Sequence, residues 1–183
     1  MVIEPAYAPT YARERMFDST VLGVDPGVSA MGLAAVTRRD RGWELLACLT
    51  VRTPAKLAEA HRLRLIHEAV VGAIAAHRPG AVAVERLAWN KNQVSALGVA
   101  RATGVVLLAA SQAGIPVEEY GPLEVKMAVT GQGNADKARV RDALTRVHGL
   151  DDVPDEPDAA DAVAVALCHV AQSRLRRMQR LAT

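Results

Sequence analysis

The order of the short apolar runs constrains the fold of this chain more than any other feature. Residues 21–24, 30–37 and 43–51 are apolar runs of strand length, and only turns of a few residues separate them. The first run ends at Asp25, before a Pro-Gly pair that is typical of a turn. Because a parallel crossover needs a dozen residues or more, these connections predict an antiparallel meander of three strands.

Beyond this meander, helical and strand patterns alternate. Further strands are predicted at residues 81–84, ending at Glu85, and at 115–120. The predicted helices span residues 57–77, 93–113, 123–129, 135–147 behind an Asn134 cap, and 158–177. Right-handed crossovers place the fourth strand beside the first and parallel to it, and the fifth strand is parallel as well. The sequence therefore predicts an α/β domain, a five-stranded mixed sheet with helices on both faces.

Length and composition indicate one globular domain without a membrane partner. The predicted domain is residues 20–173, between an aperiodic extension at 1–19, expected to be disordered, and a basic tail at 174–183. The longest uncharged stretch, residues 102–117, has 16 residues and is too short for a bilayer span. The two cysteines stand 120 positions apart, and no apolar signal region is found at the start. These features predict a cytoplasmic protein without a zinc site or a disulfide framework.

Charge is distributed unevenly along the chain. There are 22 Lys and Arg against 20 Asp and Glu, but six of the acids fall within residues 151–161 with no basic residue among them. The rest of the chain therefore has 14 acids against 22 bases. An acidic segment on a basic body suits a metal-dependent protein that faces nucleic acid, although a solvated acidic loop explains the same composition.

Four carboxylates stand where the predicted elements begin or end. Asp25 and Glu85 each close a strand, and parallel neighbouring strands bring such ends together. Asp158 and Asp161 share one face at the start of the last helix. Taken singly, Asp25 is explained as a turn former and the helical pair as partners of the helix dipole. Together, four carboxylates without cationic partners are unfavourable unless divalent cations neutralise them.

Four blocks lie in order along residues 21–169: VLGVDPGVSAMG, VAVERLAWNKNQVSALGVARATGV, VKMAVTGQGNADKARV and PDAADAVAVALCH. In this order they resemble the RuvC family, the bacterial Holliday-junction resolvases. The resemblance implies a ribonuclease H-like fold and a homodimer that nicks four-way DNA junctions symmetrically, in homologous recombination and DNA repair. It also implies 5′-phosphate and 3′-hydroxyl products and cooperation with the RuvA–RuvB branch-migration complex.

The same resemblance implies roles for six residues. Carried over position by position, the family's metal-binding carboxylates fall on Asp25, Glu85, Asp158 and Asp161. The family's two important lysines fall on Lys126 and Lys137. The carboxylates would hold two Mg²⁺ or Mn²⁺ ions per subunit, and the lysines would hold the DNA backbone or offset charge on the phosphate.

The remaining predicted DNA contacts lie in two loops. The first is the polar loop Trp89, Asn90, Lys91 and Asn92, which follows the fourth strand. Some members of the family carry an aromatic wedge one position before Trp89; we hypothesise that Trp89 replaces it and stacks on an unpaired base, the alternative being a core position. The second loop contains Gly131 and Gly133. It lacks the GK[ST] ending of a nucleotide-binding loop, so it is predicted to face DNA phosphate.

Other functions remain open from the residues alone. The same fold and metals would suit a nuclease that acts on structured RNA. A first strand that ends in Asp-x-Gly also occurs in actin-like nucleotide-binding proteins, but these need a second domain of similar size. A non-catalytic junction binder would not need the complete acidic set. The helix at residues 93–113, rich in small residues, is predicted as either a dimer interface or plain core.

Overall fold

A computed structural model describes residues 20–39, 42–87, 93–150 and 152–181. The predicted N-terminal extension and the loop from Trp89 to Asn92 lie outside these ranges. The elements in chain order are β1 (Val21–Asp25), β2 (Ala30–Arg39), β3 (Gly42–Arg52), α1 (Glu59–His77), β4 (Ala81–Glu85), α2 (Gln93–Gln112), β5 (Val117–Tyr120), α3 (Pro122–Thr130), α4 (Lys137–Arg146) and α5 (Pro157–Leu181). Among the described residues, no helix is long and apolar enough to span a bilayer.

The strands form one mixed sheet in the order β3-β2-β1-β4-β5. The pairs β1–β2 and β2–β3 are antiparallel, whereas β1–β4 and β4–β5 are parallel. The predicted meander and the predicted parallel strands are therefore confirmed. The first four residues of both β1 and β4 are buried, which explains their small or branched apolar side chains, because both faces of these central strands are covered.

Helices cover both faces of the sheet, as predicted. On one face α5 packs along the strands together with residues of α3 and α4, and the core there includes Val163, Leu167 and Leu144. On the other face α1 and α2 pack through Ile66, Val106 and their neighbours. The helix α5 thus runs directly over the central strands, which places its first turn near the ends of β1 and β4.

The predicted start of α4 at residue 135 behind an Asn134 cap is wrong. The helix begins at Lys137, and its N-cap is Asp136, whose side chain accepts a hydrogen bond of 2.8 Å from the backbone N–H of Arg139. Asn134 lies in the preceding turn. Two possible capping residues stand close together, and the geometry of that turn selects the second one.

Two further boundaries differ for similar local reasons. The strand β5 begins at Val117 and not at residue 115, because the N–H of Ile115 donates to the carbonyl of Ala110 and completes the end of α2. The helix α1 begins at Glu59 and not at residue 57, because the N–H of Leu57 donates to the carbonyl of Pro54 in a turn. Apolar periodicity alone does not locate such closing hydrogen bonds.

Candidate active site at the carboxyl end of the sheet

Strand pairing brings Asp25 and Glu85 together. Val24 of β1 is paired with Val84 of β4, so the next residue of each strand lies at the same edge of the sheet. A side-chain hydrogen bond joins the two carboxyl groups. Such a bond needs one proton between the two groups, so the edge of the sheet already holds a pair of acids that cannot both ionise freely.

Two glycines allow α5 to lie directly on the sheet. A Cβ at Gly23 of β1 would overlap the carbonyl oxygen of Ala162, and a Cβ at Gly32 of β2 would overlap that of Asp158. Gly32 is also the partner of Asp25 across the β1–β2 pair. The absence of side chains at these two positions therefore sets the height of the acidic first turns of α5 over the end of β1.

As a result, the four carboxylates form one acidic cluster, made of Asp25, Glu85, Asp158 and Asp161. Burial raises the pKa of Asp25 to about 8, with further contributions from the charges of Glu85, Asp161 and Asp158. Burial also raises the pKa of Glu85, and Asp161 adds to this, while the hydrogen bond from Asp25 opposes it. The side chains interact strongly although they lie in three separate elements.

Two lysines stand beside the acidic cluster. Lys137, the first residue of α4, donates a hydrogen bond of 2.7 Å from Nζ to Oδ2 of Asp161. This bond raises the pKa of Lys137, so the ammonium stays charged at neutral pH. The charges of Lys137 and of Lys126, in α3, both oppose the rise in the pKa of Glu85. Both predicted lysines therefore lie within electrostatic reach of the carboxylates.

The glycine loop connects the helices that carry the two lysines. Gly131 ends α3 with a φ of 72°, a left-handed conformation that favours glycine. The next residue, Gln132, is held from two sides: its N–H donates to Thr130 Oγ1, and its Oε1 accepts a hydrogen bond of 2.8 Å from Arg139. A Cβ at Gly133 would overlap the side chain of Leu123. The loop is thus shaped by local contacts next to Lys126 and Lys137.

The chemistry of the acidic cluster suits divalent cations. Within the described ranges, no three His, Cys, Asp or Glu side chains are arranged around a common metal position. Instead, the carboxyl groups of Asp25 and Glu85 are hydrogen-bonded to each other, and Asp161 is ion-paired with Lys137. Four half-buried carboxylates are hard oxygen ligands. The pKa of Asp25 is raised first by burial and then by the charges of Glu85, Asp161 and Asp158, and a divalent cation would offset both effects.

Sequence reasoning missed two features of this site. It did not identify the close-approach role of Gly23 and Gly32, although a glycine inside a buried strand is a recognisable signal. It did not anticipate the ion pair between Lys137 and Asp161, which joins two helices. The polar loop from Trp89 to Asn92 lies outside the described residues, so its predicted DNA contacts stay predictions.

A mixed sheet of this topology, with carboxylates at the ends of two central strands and on the helix that crosses them, defines the ribonuclease H-like class of nucleases. The model of one family, "Crossover junction endodeoxyribonuclease RuvC", matches residues 21–169. The chain therefore belongs to the RuvC family.

Individual relatives support this membership. The crossover junction endodeoxyribonuclease RuvC of Nocardia farcinica is 49% identical over 150 residues, which cover 81% of this chain and 79% of the relative. The structure of T. thermophilus RuvC in complex with a Holliday junction substrate matches with a TM-score of 0.81 and 36% identity, covering 86% of this chain and 96% of that one. The yeast mitochondrial Holliday junction resolvase has the same fold, with a TM-score of 0.67 at 12% identity over 90% of this chain and 83% of its own.

Proposed function

We propose that this chain is a structure-selective endonuclease that resolves four-way DNA junctions by paired symmetric nicks, leaving 5′-phosphate and 3′-hydroxyl ends. The observation that carries the proposal is the acidic cluster, formed at the carboxyl end of β1 and β4 in a RuvC-family fold by residues from β1, β4 and α5. The expected setting is homologous recombination and DNA repair in the cytoplasm. The comparisons favour none of the three alternatives: a structured-RNA nuclease, an actin-like protein and a non-catalytic binder.

The acidic cluster would hold two divalent cations, Mg²⁺ or Mn²⁺. Bound between these carboxylates, such ions supply Lewis-acid activation of water and charge neutralisation at the scissile phosphate. The protein contributes the ligands from rigid elements: Asp25 and Glu85 end paired strands, and Asp158 and Asp161 lie on one face of α5. Because both strand ends are half-buried, bulk water competes less for these ligands than it would on an open surface.

The lysines would act as fixed positive charges. The hydrogen bond to Asp161 raises the pKa of Lys137, so its ammonium is charged while this contact is made. Its ammonium is well placed to exchange a carboxylate partner for a phosphate oxygen of the substrate. Lys126 stands on the other side of the glycine loop and would bind the backbone or offset developing charge. Together they would orient the phosphodiester over the acidic cluster.

Further contacts with DNA would come from the two loops. Gly131 would present the backbone of the glycine loop to a phosphate, since the space where its Cβ would be is open, whereas Gly133 would shape the loop by its close packing on Leu123. The residues Trp89, Asn90, Lys91 and Asn92 follow Glu85 closely in sequence, so they would lie near the same part of the junction. In this proposal Trp89 stacks on a base that is unpaired at the crossover.

The functional unit would be a homodimer, because a four-way junction has near two-fold symmetry and needs two nicks. The described part of α2 supports an interface on its outer side. Leu97 and Leu108 are 52% and 53% exposed, and Gly104 lies between them with open space where a Cβ would be. The opposite side of the same helix, with Val106 and Ala110, is buried against the sheet. Cooperation with the RuvA–RuvB complex is proposed from the family alone.

A cleavage assay on synthetic four-way junctions tests the proposal, with Mg²⁺ and Mn²⁺ in parallel. Wild type is expected to make paired nicks at symmetric positions, whereas Asp25→Asn makes none. Asp152→Asn is the matched control, since Asp152 is exposed, belongs to the acidic segment and lies outside the acidic cluster. Cleavage of structured RNA alone, ATP turnover, or junction binding without any nick would each contradict the proposal in favour of one alternative.

A further inference from the structure

Behind Asp25, hydrogen bonds join three segments of the chain: the turn after Asp25, the residue that follows β3, and the first part of α1. The turn after Asp25 leads into β2, and Thr53, which follows β3, anchors its second half. The buried hydroxyl of Thr53 donates a hydrogen bond of 2.6 Å to the carbonyl of Val28. The N–H of Thr53 donates to the carbonyl of Ser29 at 3.2 Å. One residue thus fixes two consecutive carbonyl groups of the turn.

The third segment is the first part of α1, which contributes Arg62. Its Nε donates to Thr53 Oγ1 at 2.7 Å, and its Nη2 donates to Ser29 Oγ at 2.8 Å. Hydrogen bonds from a guanidinium are stronger than those between neutral groups. Arg62 therefore ties the helix to both Thr53 and the turn.

The turn itself has little freedom to adjust. A Cβ at Gly27 would overlap the carbonyl of Ala30, so the backbone closes tightly there, and the preceding proline restricts its own φ. A displacement of Val28 and Ser29 would therefore be passed back toward Asp25. Arg62 is not among the charges that shift the pKa of Asp25, so an influence of Arg62 on this carboxylate would have to pass through the turn.

We propose that Arg62 and Thr53 are positioning residues that hold the turn after Asp25 and so orient the Asp25 carboxylate in the acidic cluster. The inference rests on the proposed nuclease function. Misplacement of a reacting group by about 1 Å can reduce a rate a hundredfold, so loosening the turn is expected to slow cleavage more than it weakens DNA binding.

The first test measures the turn without any reaction. Amide hydrogen exchange of the segment at residues 24–31 is compared between wild type, Arg62→Ala and Arg64→Ala. Arg64 is a matched control because it lies two residues away and makes an exposed ion pair with Glu68 on the same helix. Faster exchange of the segment, by about tenfold, is expected for Arg62→Ala only. Equal protection in all three proteins overturns the proposal.

The second test separates cleavage from binding on a four-way junction. In single-turnover reactions with saturating enzyme, Arg62→Ala and Thr53→Val are expected to lose at least about tenfold in rate while the junction affinity in EDTA stays within about twofold. Thr53→Ser, which keeps the hydroxyl, is expected to recover most of the rate lost in Thr53→Val, and Arg64→Ala to match wild type.

The outcomes distinguish this inference from the function on which it rests. If wild type nicks junctions and Arg62→Ala is equally fast, the inference is wrong and the proposed function stands. A loss of affinity as large as the loss of rate would instead make Arg62 a phosphate contact and overturn the positioning role. If wild type does not nick junctions, the proposed function is wrong, and the exchange measurement alone decides whether Arg62 holds the turn.

Discussion

Replacing Asp25 by asparagine is expected to stabilise the metal-free protein near neutral pH. Asparagine keeps the shape of the side chain and can still donate a hydrogen bond to Glu85, but it has no charge to bury. In the folded protein the pKa of Asp25 is raised from 3.8 to about 8 by burial and by three neighbouring carboxylates. The variant removes the group on which these unfavourable effects act.

The size of the effect follows from the two pKa values. Between pH 3.8 and about 8 the folded state keeps the proton of Asp25 while the unfolded state loses it. The unfolded state therefore binds fewer protons, and the free energy of unfolding of wild type falls as the pH rises through this window. At pH 7 the two pKa values alone correspond to a loss of about 4 kcal/mol in the free energy of unfolding. Because solvent partly screens the half-buried carboxyl, the expected loss is about 2 to 4 kcal/mol.

Urea unfolding in EDTA at several pH values between 5 and 8 measures this effect. Wild type is expected to lose stability steadily, whereas Asp25→Asn changes much less and is the more stable protein at pH 7. Added Mg²⁺ is expected to stabilise wild type more than the variant, because ligands that bind only the folded state raise its stability. The exposed control Asp152→Asn should follow the wild-type curve. A flat wild-type profile, or a variant no more stable than wild type at pH 7, would refute the reasoning.

Three further outcomes are expected. Gly32→Ala should lower the free energy of unfolding by about 1–3 kcal/mol in urea titrations, because the new Cβ would overlap the Asp158 carbonyl and push α5 away. Unchanged stability would contradict the close approach of α5 to β2. Lys137→Met should slow single-turnover cleavage of a junction by about 10²-fold through loss of a fixed positive charge, and an unchanged rate would remove Lys137 from the site. Leu108→Glu should shift the protein from dimer to monomer in analytical ultracentrifugation. The control Val147→Glu, at a 73% exposed position on another surface, should stay dimeric. A dimeric Leu108→Glu would exclude this side of α2 as the interface.

The strand order and the position of two carboxylates were predictable from the sequence. Turns too short for a crossover leave only an antiparallel meander, and helices of crossover length make β4 parallel to β1. Because Asp25 and Glu85 each follow four buried residues, their strands alone bring them to the same edge. These features depend on local periodicity and on chain connectivity, which are written directly in the order of residues.

Other features were decided only by the tertiary structure. The start of α4 depends on which of two polar residues caps it, and the ion pair between Lys137 and Asp161 depends on how α4 lies beside α5. The height of α5 over the sheet depends on the absence of side chains at Gly23 and Gly32. The turn after Asp25 is held by a hydrogen bond from Arg62, which belongs to a helix 33 residues further along the chain than Ser29. Such contacts join segments with no fixed spacing in sequence, so their geometry exists only once the elements have packed.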